Sequence, residues 1–136
     1  MKILPVIAFT AGLTVSLSAA AFDSETAAEE GIFQLSHLAD TAQTLGIART
    51  PCFTPRPGWT TCPGENIAEH LIGRHPSDRS VWALMGAEAA AHLAVTVGLE
   101  RAHAPRWLLR SWEGVTIAVQ TADDAKNASI GLAWHL

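Results

Sequence analysis

Six histidines stand in this chain of 136 residues, and three short stretches set them beside carboxylates. The stretch "HLAD" places His37 three residues before Asp40, "EAAAH" places Glu88 four before His92, and "EHLIGRH" brings together Glu69, His70 and His75. Residues three or four apart are neighbours on a helix, so each of the first two pairs can present an imidazole and a carboxylate on one face. Two such helices facing each other are a way in which bundles build divalent metal sites. The candidate set is therefore His37, Asp40, Glu88 and His92. Its weakness is that His37 and Asp40 fall opposite the apolar stripe of their own helix, so solvated histidines are the plain alternative. Glu88 and His92 lie in "AEAAAHLAV", an almost unbroken apolar run, where polar groups are costly unless paired. They are expected to satisfy each other as a buried polar pair.

No other pattern carries chemistry as directly. The chain has no G-x-S-x-G elbow, no H-E-x-x-H, no phosphate-binding loop and no dinucleotide-binding glycine pattern. Ser77 and Thr44 are hydroxyls without a local base, so no catalytic residue is assigned and no cofactor is required beyond that candidate divalent metal.

The ends and the composition bound where such groups operate. From Met1 the chain has one Lys, an apolar run from Ile3 to about Leu17, and small residues through Ala19, Ala20 and Ala21. That three-part layout predicts a secretory signal peptide over residues 1–21, cut after Ala21. The rival is an uncleaved anchor, for which the run is short against the roughly 20 apolar residues of a membrane span. Residues 22–136 then form one small domain, exported to the periplasm. With 9 basic against 13 acidic residues the chain is acidic, which excludes the clustered basic surface of a nucleic-acid binder. Cys52 and Cys62 flank a loop rich in Pro and Gly, and an oxidising compartment predicts a disulfide between them, against a pair of free thiols.

The elements that would position the candidate groups read as an all-α, three-helix bundle. The first predicted helix runs from Glu29 to Ala48, with Ile32, Leu35, Leu38, Ala39, Ala42 and Leu45 on one stripe and His37, Asp40, Thr41 and Thr44 opposite. The stapled loop, about residues 50–64, leads into a short helical turn near Leu71, and Gly73 permits a left-handed exit. Ser77 is a natural N-cap for a second helix from Asp78 to Leu99. That helix is apolar nearly all round, which predicts the central element of the bundle. Gly86, Ala90 and Ala94 form a small-residue track along it, suited to close packing within the monomer or between copies in a homo-oligomer. After a polar connection, Pro105 opens a third helix to about Asn127. Its apolar stripe is Leu108, Trp112, Val115, Val119 and Ala122, and its polar stripe Glu113, Thr116, Gln120, Asp124 and Asn127. The tail "SIGLAWHL" alternates and predicts an extended segment.

The second helix is close to the minimum length for a membrane span, but an acidic residue near a bilayer centre costs on the order of 2.5 to 3.5 kcal/mol on insertion scales. A soluble periplasmic bundle and a bundle at the membrane surface or in the inner membrane both fit. Trp82 and Trp107 sit near helix starts, as residues of a water–membrane interface do, whereas Trp112 at helical spacing is ordinary core.

The order of "HLADTAQTLGIA", "LIGRHPS", an Ala-rich helix with an internal His, "WEGVTIAVQ" and "NASIGL" resembles a group of small, uncharacterised proteobacterial and prophage-borne envelope proteins, a domain of unknown function. The group differs in having an acidic residue followed by Asn-Pro where this chain has Glu69 and His70, and in lacking the Cys-containing insertion. The resemblance implies a helical envelope protein, with no catalytic assignment attached. The expected function is a non-enzymatic structural or interaction protein of the cell envelope, and the alternative is a metal-binding or hydrolytic periplasmic protein using Glu88 and His92 with His37 and Asp40.

Overall fold

The computed structural model describes residues 22–49, 53–56, 59–61, 68–73 and 76–129. The predicted signal segment, Cys52, Cys62 and the tail beyond Ser129 lie outside the described residues. Within them the fold is helical: α1 (Ser24–Arg49), a two-stranded antiparallel hairpin of β1 (Phe53–Arg56) and β2 (Trp59–Thr61), the short α2 (Ala68–Ile72), α3 (Asp78–Arg101) and α4 (Arg106–Ser129). The hairpin occupies the segment expected to be an irregular loop.

Local chemistry sets the helix ends. Helix α1 begins at Ser24, five residues ahead of the predicted start, because Asp23 caps it, its Oδ1 accepting from the amides of Glu25 (3.1 Å) and Thr26 (2.8 Å). Glu25 thus stands in the first turn of the helix, where carboxylates favour the positive end of the dipole. Ser77 caps α3 as its sequence suggests, its side chain accepting from the Ser80 amide. Gly73 takes a φ of 84° at the exit of α2. At the end of α3 the His103 amide donates to the Glu100 carbonyl and the Ala104 amide to that of Leu99, a Schellman turn with His103 at the left-handed position (φ 52°) that glycine usually takes.

Helix α1 packs against both α4 and α3, while α3 and α4 meet over less of their length. The central element is therefore α1, which corrects the expectation that the second long helix is central. Residues near the start of α1 meet the end of α3 and the start of α4, as in Thr26 with Glu100 and Glu29 with Arg110. Residues near its middle and end meet the end of α4, as in Ser36 with Asp124 and Asp40 with Asn127. The bundle is up, down, up.

Its interior inverts the expected wheels. An apolar cluster of Leu45, Val81 and Met85, with Ile72 and Trp82 against it, fills only the end where α1 finishes and α3 begins. Elsewhere the seam of α1 reads Thr26, Glu30, Phe33, His37, Asp40, Thr44 and Ile47, all buried, at alternating spacings of four and three. That is the heptad spacing of a helix-packing seam with polar residues in most of the knob positions. Helix α4 contributes Leu109, Glu113 and Asn127, and α3 contributes His92 and Thr96. Among the described residues eleven polar or charged side chains are buried against seven apolar ones. The outside carries what was expected inside: Ile32 and Leu35 of α1, Val95 of α3, and Leu108, Val115 and Val119 of α4 are exposed. The polar stripes face inward because each finds its hydrogen-bond partners on the other two helices.

Candidate functional site

His92 is the hub of the polar interior. It turns into the bundle from α3, where its Nδ1 lies 3.1 Å from Glu30 Oε2 of α1. Its Nε2 lies 2.9 Å from Thr116 Oγ1 and 3.9 Å from Glu113 Oε2, both of α4. An ionised carboxylate can only accept, so Glu30 selects the tautomer with the proton on Nδ1 and leaves the Nε2 lone pair facing α4. The ring is held in place from both sides: Phe33 stacks on it with centroids 3.5 Å apart, and Trp112 lies at 5.0 Å.

The carboxylates are held as well. Gln34 Nε2 donates to Glu30 Oε1 at 2.6 Å. Thr96 Oγ1 donates to Glu113 Oε1 at 2.8 Å and accepts from the Trp112 indole N–H at 3.2 Å. Glu113 Oε2 is buried without a hydrogen-bond partner. One ligand atom each from Glu30, His92 and Glu113 can be chosen so that all three lie within 4.8 Å of one another.

Of the four residues expected to share a metal, only His92 belongs to this cluster. Glu88 is exposed on the outer side of α3, so the expected buried Glu88–His92 pair is corrected: four residues apart on one helix, the two groups part because Glu30 draws the imidazole inward. His37 is buried one turn of α1 beyond Phe33, its Nε2 donating to the Met85 carbonyl at 2.8 Å and its Nδ1 lying 3.3 Å from the Gln120 amide. Asp40 accepts from Asn127 Nδ2 at 3.2 Å. These two sit in the interior rather than on a wet face, but each is engaged with α3 or α4 and they form a separate network from His92. His70 is exposed, and Gly86, Ala90 and Ala94 are exposed as well. A Cβ added at Gly86 would meet nothing, so the small-residue track does not pack this monomer.

No protein-family model, curated protein or solved structure matches this chain. Geometry alone carries its chemistry.

At the end of the bundle next to this cluster, charges close the interior. Arg110 pairs with Glu25 and Glu29, and Arg106 pairs with Asp23 and lies 3.7 Å from Glu100. The Thr26 amide, more than any other group, holds the Asp23 carboxyl at about 2, below its ordinary 3.8, and Arg106 adds to that effect. Glu113 and Thr116 escaped the sequence reading of the site because they fall on the polar stripe of the third helix, and Glu30 and Thr96 because they belong to no pattern read there. Their signal was there as polar side chains recurring at packing-seam spacing on three helices.

Proposed function

We propose that this chain is a non-enzymatic structural or interaction protein of the bacterial cell envelope, seated in the membrane with the outer faces of its bundle against lipid. The observation that carries this is the reversal of polarity: hydrogen-bonded polar side chains inside, with Leu35 70%, Val115 62% and Val119 57% exposed outside. In water that arrangement forfeits the hydrophobic driving force on both counts. In a bilayer it is the favourable one, since polar groups then face the bundle interior and pair there.

Lengths and ends agree. Helices α3 and α4 have 24 residues each, about 36 Å at 1.5 Å per residue, against a hydrocarbon core of about 30 Å. Helix α3 is long and apolar enough to cross a membrane, and only 22% of its most apolar window is buried in the bundle, unlike the core helix of a soluble protein. Trp107, 68% exposed beside Arg106 at the charged end, has the position of an interfacial aromatic. Glu88 is the one charged side chain of α3 between Val81 and Leu99, and at a bilayer centre it costs about 2.5 to 3.5 kcal/mol against the apolar residues around it.

The test is fractionation of a C-terminally tagged chain by osmotic shock, then a carbonate wash of the membranes, with the mass of each form measured. Retention through carbonate of a form lacking residues 1–21 is the expected result. Release of that form by osmotic shock would overturn the membrane seat.

A further inference from the structure

We propose that Glu30, His92 and Glu113 form a binding site for one divalent transition-metal ion, with His92 Nε2 and Glu113 Oε2 as ligands and Glu30 as the carboxylate that orients His92. The inference does not depend on whether lipid or water surrounds the bundle.

Three observations converge. The first is direction: the Nδ1–H of His92 is taken by Glu30, so its Nε2 lone pair, which accepts from the Thr116 hydroxyl, points to the side where Glu113 stands. A metal-bound histidine characteristically gives its other N–H to a carboxylate, which fixes tautomer and ring orientation and raises ligand basicity. The second is an unspent ligand. Glu113 is fully buried, one of its oxygens is satisfied by Thr96, and the other has no hydrogen-bond partner, with His92 Nε2 3.9 Å away. A buried carboxylate oxygen left without a hydrogen bond is expensive, and an ion between it and Nε2 removes that cost. The third is rigidity: the imidazole is stacked between Phe33 and Trp112, so the ligand is positioned before the ion arrives.

The separation fits. Ligand atoms 3.9 Å apart need only a small approach to bind one ion at about 2.0 to 2.2 Å each. The Thr116 hydroxyl, 2.9 Å from Nε2, rotates to its alternative acceptors, the carbonyls of Trp112 and Glu113, when the ion takes the lone pair. One imidazole with one carboxylate oxygen suits zinc, manganese, iron(II) or cobalt, and lacks the thiolates that select copper(I). Water completes the coordination shell, so the site is an open one.

The experiment is titration of the purified full chain with Co²⁺, and separately Zn²⁺, followed by calorimetry and the visible cobalt spectrum, with helicity checked by circular dichroism. Wild type is expected to take up one ion per chain. Glu113→Gln should lose it, and Glu30→Gln should retain the stoichiometry but bind about 10- to 100-fold more weakly, as carboxylates behind a metal-bound histidine do. His37→Gln, in the neighbouring polar network, and Glu88→Gln, on the outside, should bind as wild type does. Absence of stoichiometric uptake by wild type overturns the proposal, and so does wild-type affinity in Glu113→Gln. Should Glu113→Gln lose its helicity, wild-type stoichiometry together with Glu30→Gln decides: an affinity unchanged in Glu30→Gln then counts against the site.

Discussion

Thr96 serves two buried partners with one hydroxyl, donating to Glu113 and accepting from Trp112. Replacement by Val keeps the shape and strands both, so Thr96→Val should lower stability by about 1 to 3 kcal/mol, the penalty for buried polar groups left unsatisfied. Thr96→Ser keeps the bonds and sheds one methyl, at about 0.8 kcal/mol. Thermal midpoints of both variants decide the matter: a Val variant as stable as the Ser variant would mean that the hydroxyl is not what satisfies Glu113. Asp23 offers a second test at this scale. Its folded-state carboxyl is depressed from 3.8 to about 2, so its contribution is complete above its ordinary value and is lost as pH falls through that window. Amide-exchange protection at Glu25 and Thr26, corrected for intrinsic rates, should drop between about pH 5 and pH 2. In Asp23→Asn that drop should disappear.

At the scale of elements, the turn between α3 and α4 stores a small strain. A left-handed L-residue costs roughly 1 to 2 kcal/mol, and glycine adopts the same conformation without it. His103→Gly should therefore stabilise the bundle by about 0.5 to 1 kcal/mol once the extra freedom of glycine in the unfolded chain is set against the gain. His103→Val, branched at Cβ, should destabilise it, and denaturant midpoints in the two variants should move in opposite directions. The existence and type of the long helices, the Ser77 cap and the Gly73 exit were all legible, because they rest on local spacing and local chemistry. The wheels were legible too, but their orientation was not. Ile32, Leu35, Val115 and Val119 form real apolar stripes, yet they face outward. Which face turns inward depends on partners distant in sequence, such as Glu30 for His92 and Asn127 for Asp40. The extent of α1 was missed for a simpler reason: the residues from Ser24 to Ala28 fall outside the predicted helix until Asp23 is recognised as its cap.

For the whole molecule, polarity separates two environments that predict opposite signs. Val115 and Val119 lie one turn apart on the outer side of α4 and are both exposed. If that side faces lipid, Val115→Asp and Val119→Asp each add about 2.5 to 3.5 kcal/mol to insertion near the helix centre. If it faces water, each exposed substitution changes stability by only about 0.5 kcal/mol in either direction, and solubility rises. The double variant should therefore fail to survive the carbonate wash that retains the parent chain, while Ser111→Asp, beside the Arg110 pairs at the charged end, should survive it. The comparison also isolates α4 from the N-terminal segment, because residues 1–21 are identical in all three chains. A double variant retained as well as the parent would assign retention to that segment or to α3 alone. It would leave the outer face of α4 to water, and the buried polar seam would then be the principal element holding the three helices together.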